Sequence, residues 1–289
     1  MKRALFILLA SVTVLFSLAV YQHFRYFDGK LHVTFCNVGQ GDGIYIKTPS
    51  GQDILIDGGP NSDILRCLED RMRFIDRDVD IVFLTHPHLD HYGGLESVVQ
   101  RYRLGHFVTE NIPNKNTIFE QFSYQLDIHK VAKKYVKKGD MVKVGDKGEE
   151  VTITVLWPSE DFLEFHQREI NPDLNEGSLV LLLSYGDMDV LLTGDSDVEM
   201  LSSALEGHDL PSIEVLKVPH HGSRFGLSPE LVKAIDPKLS VISSGKNKYG
   251  HPAKDTLKLL EGRKVLRTDT SGSVEIISNG TSWEVKTGR

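Results

Sequence analysis

Apolar positions fall into two regimes along the chain. Between residues 4 and 20 they run unbroken and uncharged behind Lys2 and Arg3, which predicts a single N-terminal apolar helix. From Leu31 onward, short apolar runs alternate with turn residues. Residues 31–38, 43–48 and 53–57 predict three strands of an antiparallel meander, separated by Gly-Gln-Gly-Asp and Pro-Ser-Gly turns. Ile64, Leu65, Leu68 and Met72 then recur at helical spacing and lead into a strand over 81–84. The pattern continues with a helix over 94–102, a strand over 106–109 and a long helix over 117–135. Lys133, Lys134, Lys137 and Lys138 form the solvated end of that helix. A strand covers 151–156, and the charged stretch 161–171 reads as a helix or loop, a candidate flap.

The second half predicts a hairpin of strands 178–184 and 189–193 around Tyr185-Gly186-Asp187, then a helix over 196–205. A strand over 215–218, a helix over 229–235, a strand over 239–243 and a helix over 253–260 follow. A last hairpin, 273–277 with 282–285, closes around Asn279-Gly280. Both halves repeat one theme: strands end in polar loops and pass into helices. No linker or low-complexity segment interrupts 29–289, which reads as one domain after an N-terminal segment over 1–28.

That segment sits between two lengths, short for a membrane span and long for a signal-peptide core, and either reading directs the chain to export. Ser17-Leu18-Ala19 offers a small-x-small cleavage site. Tyr21, Phe24, Tyr26 and Phe27 beside Arg25 resemble an interfacial aromatic belt, which favours an uncleaved membrane anchor over a secreted chain. The basic residues ahead of the apolar run place the N-terminus inside and the domain outside the cytoplasm. A net charge of −7 argues against a protein that coats nucleic acid over its whole surface, and it leaves room for a local basic groove. Cys36 and Cys67 are the two cysteines; they either pair in an oxidising compartment or remain two buried thiols, and neither has metal-type spacing.

The candidate chemistry centres on Thr85-His86-Pro87-His88-Leu89-Asp90-His91-Tyr92-Gly93-Gly94. Pro87 disfavours helix at His86 and keeps the loop extended, so His86 and His88 reach the same side and can bind one ion. Asp90 and His91 lie where the loop turns toward a helix beginning near Gly93, and that change of direction aims them at a second ion. With 12 histidines in 289 residues, three at these spacings beside an aspartate are improbable by chance.

Asp57-Gly58-Gly59, His86-x-His88-x-Asp90-His91-x-Gly93-Gly94, Thr193-Gly194-Asp195 and His220-His221 follow one another as in the metallo-β-lactamase superfamily, and the resemblance covers 31–285. Val38-Gly39-Gln40-Gly41-Asp42, Pro219-His220-His221-Gly222-Ser223 and Gly250-His251-Pro252 resemble the extracytoplasmic hydrolase domain of ComEC/Rec2-type DNA-uptake (competence) proteins. The resemblance implies an α/β fold (α+β by some schemes), a four-layer αββα sandwich with the metal site at one edge. It also implies metal-dependent hydrolysis, with a phosphodiester, DNA included, as the favoured substrate. One apolar segment cannot form a multi-span channel, so the likeness is to a free-standing hydrolase domain whose channel partner is a separate protein.

Carried over by the resemblance, His86 and His88 bind the first metal, Asp90 and His91 the second, and Asp195 bridges them. A shared carboxylate offsets the repulsion between two dications. On a continuing strand His220 and His221 point to opposite sides, so one of them reaches the metals. The reading takes His221 as the ligand and His220 or His251 as the acid for the leaving group, with the reverse assignment open. Asp57 supports the site rather than binding metal. No third histidine for the first metal is evident, since His106, His129 and His166 lack a strand-end setting. Asn175 and Ser178 stand there instead, and an oxygen-rich site admits manganese as well as the favoured zinc. Lys217, Ser223, Arg224, Lys246 and Lys248, in or beside the liganding loops, are candidates to hold an anionic substrate. The alternatives are a metallo-hydrolase of another extracellular substrate, a cell-wall phosphoester or a lactone, and a non-catalytic DNA-binding accessory module.

Overall fold

The structure is a computed structural model that describes residues 2–145, 148–169, 172–207 and 212–288; the side chains of 23–25 are also outside the description. Helix α1 (Lys2–Tyr26) is exposed from Lys2 to Tyr21, and its stretch Lys2–Gln22 is long and apolar enough to cross a membrane by length and composition. Phe24 and Arg25 of the expected aromatic belt fall on the undescribed side chains. Phe27 does not continue a belt: its ring packs on the globular part, 4.5 Å from Arg73 Cζ and 5.0 Å from Lys47 Nζ.

The first half builds β1 (Leu31–Phe35), β2 (Ile44–Lys47) and β3 (Asp53–Ile56), the expected antiparallel meander. Helix α2 (Asp63–Arg71) returns the chain to β4 (Asp78–Phe83), which pairs parallel to β3. A single helical turn, α3 (Leu89–Tyr92), precedes α4 (Leu95–Arg101), and β5 (Arg103–Thr109) is again parallel. Helix α5 spans Thr117–Ile128, shorter than expected. Asn116 caps it through bonds from the amides of Ile118 and Phe119, and Lys130 at φ 56° ends it. Of the lysines assigned to its end, Lys133 and Lys134 instead lie in β6 (Ala132–Tyr135), a parallel edge strand, Lys137 and Lys138 follow it, and Lys133 turns back to bond Ser123. Charge on an edge strand blocks further pairing, so a lysine-rich run serves here as strand.

The second half contains β7 (Met141–Val144), β8 (Val151–Trp157), α6 (Glu160–His166), the hairpin β9 (Val180–Tyr185) and β10 (Met188–Leu192), then α7 (Val198–Leu205). Next come β11 (Val215–Lys217), α8 (Pro229–Ile235), β12 (Leu239–Ile242), α9 (Lys254–Leu259), β13 (Val265–Arg267), α10 (Thr268–Ser271), β14 (Val274–Ser278) and β15 (Trp283–Thr287). The short elements β7, β13 and α10 carry too few residues for a periodic signal. The candidate flap is packed: Leu163 and His166 of α6 are buried, and Phe162 stacks on His166 at 3.8 Å. Its last two residues, 170–171, are outside the described residues.

Among the described residues one sheet runs β15-β14-β1-β2-β3-β4-β5-β6 and the other β13-β12-β11-β10-β9-β8-β7. Their inner faces bury Phe35, Ile46, Phe83, Ile153, Leu181, Val190 and Val241 in one core. Outer cores seat α2, α4 and α5 on the first sheet and α7 and α8 on the second. The result is the αββα sandwich. Cys36 and Cys67 form a disulfide that ties the end of β1 to α2 across 31 residues. Closing a loop of that size removes roughly 3–4 kcal/mol of denatured-state entropy.

Topology places the site. Strands β3–β6 and β10–β13 form two parallel runs whose carboxyl ends lie at one edge. Asp57, His86, Asp195, His220, His221 and His251 all follow such ends, the position where open α/β sheets place ligands.

Glu110 leaves β5 at the same edge fully buried, which pushes its carboxyl up to about 8, with Oε1 unpartnered among the described residues. An acid raised in the folded state binds a proton that the unfolded chain releases, so wild-type stability falls as pH rises from about 4.5 toward about 8. Glu110→Gln is therefore expected to gain on the order of 3 kcal/mol over wild type at pH 7 compared with pH 4.5, read by urea unfolding at both pH values. A difference between the two proteins that does not change with pH would show that the carboxyl is not held neutral.

Candidate metal centre

Three loops of the first sheet are laced together by backbone bonds. Asp42 N donates to Asp90 O (3.2 Å), Gly58 N to His91 O (2.6 Å), Gly59 N to Asp42 O (2.6 Å) and Gly94 N to Gly59 O (2.8 Å). The approach is close enough to demand glycine. A Cβ on Gly41, at φ +145°, would stand 2.2 Å from Asp90 O, and one on Gly94 would stand 2.0 Å from Gly58 O.

The histidine loop departs from the expected course in one respect. Helix starts at Leu89, with His88 as its N-cap, so Asp90 and His91 project from a helical turn, not from the loop before it. His86 and His88 face each other, Nε2 to Nδ1 at 3.0 Å, as their two-residue spacing requires. His91, whose ring lies 4.1 Å from that of His86, donates from Nδ1 to Asp57 Oδ2 at 2.8 Å. Asp57 also accepts from Thr85 N and Thr85 Oγ1, both at 2.8 Å, and so fixes the loop and the imidazole together. That bond leaves His91 Nε2 free to face Asp195 Oδ2 at 3.4 Å.

The second sheet brings Asp195 and the histidine pair. Asp195 N donates to Ser178 Oγ (3.0 Å), whose oxygen also lies 3.3 Å from His86 Nδ1, so Ser178 joins the two halves. Asn175 precedes it in the same turn, its Oδ1 buried without a partner among the described residues. The strand does not continue through His220 and His221: β11 stops at Lys217, and both histidines are left-handed, φ 48° and 54°. The opposite-sides expectation fails for that reason. Both rings turn to Asp195 Oδ2, His220 Nε2 at 3.6 Å and His221 Nε2 at 3.3 Å. His221 Nε2 is also 3.5 Å from Asp90 Oδ2, while its Nδ1 donates to Ser243 O at 3.1 Å. His251 stands outside this group, its ring 5.6 Å from that of His220.

The sequence reading missed the role of one buried residue and misassigned that of another. Asp42, seen there only as part of a glycine-rich motif, accepts an ion-paired hydrogen bond from Lys217 and lies 3.6 Å from His221 Nδ1. Lys217 is fully buried and donates to Gly194 O at 2.7 Å, so it serves the interior and not a substrate. The available signal was a charged residue alternating into an apolar strand. Ser223 is likewise buried, its Oγ accepting from Phe225 N at 3.3 Å, whereas Arg224, Lys246 and Lys248 are exposed beside the site.

Electrostatics shows what the cluster requires. Among the described residues four carboxylates (Asp42, Asp57, Asp90, Asp195) stand against one lysine, so the balance of their negative charge falls on the neighbouring imidazoles or on bound cations. Burial pulls His221 down, but Asp195 and Asp42 push it up to about 9; the carboxylates of Asp195 and Asp57 likewise hold His91 well above its ordinary value. Burial would raise Asp195, and His221 and His91 hold it well below the usual range instead. His86, buried and beside His91, is depressed.

Donor atoms of Asp90, His91, Asp195 and His221 lie within 4.8 Å of one another. Asp42 Oδ1, Asp195 Oδ1, His91 Nε2 and His221 Nε2 are buried without hydrogen-bond partners among the described residues. Each such orphan costs about 1–3 kcal/mol, so four on one cluster fit a site built to bind divalent cations. Mixed nitrogen and oxygen donors suit zinc, manganese and iron alike.

A family model described as "Metallo-beta-lactamase superfamily" matches residues 36–246. ComE operon protein 3 of Bacillus subtilis is 27% identical over 91% of this chain and 34% of its own length. Competence protein ComA of Neisseria gonorrhoeae is 28% identical over 86% and 32% respectively, so the chain spans about a third of either relative. Among solved structures, the metallo-beta-lactamase fold protein YhfI from Bacillus subtilis superposes with a TM-score of 0.55 at 15% identity, over 85% of this chain and 99% of that one. That likeness concerns the fold.

Asp57→Ala is expected to weaken metal affinity about 10- to 100-fold by freeing the His91 ring, measured by competition with a chromogenic chelator. An unchanged affinity would remove His91 from the ligands or Asp57 from its support.

Proposed function

From the chain's membership of the metallo-beta-lactamase superfamily, we propose that it is a metal-dependent phosphodiesterase that acts on DNA outside the cytoplasm. The observation that carries the reading is the convergence of Asp90, His91, Asp195 and His221, with donor atoms of the last three unpartnered among the described residues, on loops that also carry exposed Arg224, Lys246 and Lys248. In this reading His86 and His88 would hold one divalent ion, Asp90, His91 and His221 would hold a second, and Asp195 would serve as a shared carboxylate ligand. Two such ions, zinc or manganese, supply Lewis acidity toward phosphoryl oxygens and activate water.

The chain's own groups do the rest. Asp57 and the carbonyl of Ser243 take the Nδ1 protons of His91 and His221, which turns the Nε2 lone pair of each toward Asp195. Ser178 keeps His86 and the Asp195 loop in register. His220, with about a third of its side chain exposed, meets the substrate, and His220 or His251 delivers a proton to the leaving oxygen. Arg224, Lys246 and Lys248 hold flanking phosphates on a protein whose net charge is −7.

Three features support export and a membrane anchor: the Cys36–Cys67 disulfide, the exposed apolar helix α1, and Lys2 and Arg3 ahead of it. Likeness to ComE operon protein 3 and to competence protein ComA supports DNA as the substrate.

Purified protein, stripped with chelator and reloaded with zinc or manganese, should hydrolyse single-stranded DNA and a small phosphodiester only when reloaded. His88→Ala and Asp195→Ala should each lower turnover at least 100-fold while remaining folded. Loss of the proton donor, by His220→Ala or His251→Ala, should slow DNA about 100-fold or more but spare an ester with a good leaving group. Lactone cleavage without phosphodiester cleavage would overturn the substrate class. DNA binding unaltered in metal-site variants, without turnover, would make the domain a binding module.

A further inference from the structure

The loops around the metal centre carry two large exposed rings that no step above uses. Phe225 is 62% exposed and Tyr249 65% exposed. A single exposed aromatic is ordinary on a protein surface. These two share a setting that is not. Phe225 follows His221 by four residues, with Arg224 Cζ 4.7 Å from its ring; Tyr249 precedes His251 by two, with Lys248 Nζ 5.5 Å from its ring. Each loop therefore offers a ring and a cation side by side.

Both loops are pinned. Asn247 Oδ1 accepts from Tyr249 N and His251 N at 3.0 Å each, and its Nδ2 donates to Gly245 O (2.8 Å) and His251 O (2.7 Å). On the other side Phe225 O accepts from Val198 N at 3.0 Å. The loops are also bonded to each other, Ala253 N to Gly222 O at 2.8 Å and Thr256 Oγ1 to Ser223 O at 2.9 Å. Rings held this way have lost their loop entropy before any ligand arrives, which is what a binding platform needs.

Tyr249 also leads inward. Its ring is 5.8 Å from that of His251 at an angle of 32°, and His251 is 5.6 Å from His220, whose Nε2 reaches to 3.6 Å from Asp195 Oδ2. Two ring-to-ring steps thus separate an exposed phenol from the imidazole at the metal cluster.

We propose that Tyr249 and Phe225 are stacking platforms for nucleobases on either side of the phosphodiester in the metal centre, so that the site takes single-stranded nucleic acid with its bases turned out. The proposal rests on the phosphodiesterase reading and narrows its substrate. Stacking offers every base a π-face and so tolerates any sequence, while Arg224, Lys246 and Lys248 neutralise adjoining phosphates. A duplex keeps its base faces covered and cannot use the rings.

The test uses full-chain, metal-loaded protein in detergent and fluorescence anisotropy with phosphorothioate-linked probes: an oligothymidylate, an abasic strand of equal length and charge, and a duplex. Wild type should bind the base-bearing strand about 5- to 150-fold more tightly than the abasic one, the range that stacking of one base provides. Tyr249→Ala and Phe225→Ala should each shrink that preference, the double variant should abolish it, and Tyr249→Phe should restore it. Arg224→Ala and Lys248→Ala should weaken both single strands alike. Equal binding of base-bearing and abasic strands by wild type, or a preference that survives the double variant, would overturn the proposal. If such a protein still cleaved DNA, the phosphodiesterase reading would stand; if it bound neither strand and cleaved nothing, both would fall.

Discussion

Everything at the active edge depends on compensation of buried negative charge. Asp42, Asp57 and Asp195 are all but removed from solvent, and among the described residues Lys217 is the fixed cation beside them. Burial pulls the pKa of Lys217 down, and Asp42 and Asp195 more than reverse it, so it stays charged. Removal of one partner from such a pair strands a charge in the interior, at about 3–5 kcal/mol. Lys217 satisfies only part of the demand. The remainder falls on the imidazoles, which take protons from water or yield their lone pairs to metal, and this makes the cluster a site instead of a structural ion pair.

Strain is concentrated in the same place. Among the described residues, five non-glycine positions have positive φ, and three of them are Asp57, His220 and His221. Each costs roughly 1–3 kcal/mol. The backbone bonds from His220 N to Gly194 O and from Ser223 N to His220 O hold the second turn, and the Phe83 carbonyl holds Asp57 N. Rigid strands on both sides supply what these bonds alone do not, since burying a single Leu, Ile or Phe side chain contributes about 1.5–3 kcal/mol. The gain from strain is direction: two consecutive histidines that a strand would separate both turn to one carboxylate.

Polarity changes with distance from the cluster. Carboxylates and imidazoles lie at the bottom, His220 and His251 mark the way out, and the rim carries Arg224, Lys246 and Lys248 with the rings of Phe225 and Tyr249. An acidic protein thereby places cations and exposed rings together on the loops that carry its histidines. This is the arrangement expected for an anionic polymer that must be drawn to a site whose own ligands would repel it.

The sequence by itself determined most of the strands and helices in order and the loop from His86 to His91, while the αββα class came from the family resemblance. Period-two apolar runs, glycine turns and a proline between two histidines act over a few residues, and local sterics suffice to decide them. Asp57 was legible for the same reason, as a polar residue at a strand end, and Ser178 through the family resemblance. Other features were decided only in three dimensions. Lys133 and Lys134 became edge strand because β5 offered pairing, and Phe27 left the membrane-facing pattern to pack on Arg73. Cys36 and Cys67, which the sequence left as a pair or as two thiols, are joined because α2 lies beside the end of β1. Asp42 and Lys217 meet across two sheets, and His220 turns to Asp195 by a left-handed step that no periodicity announces. Local pattern specifies which groups stand at the strand ends; which of them share one charge depends on how the two sheets pack.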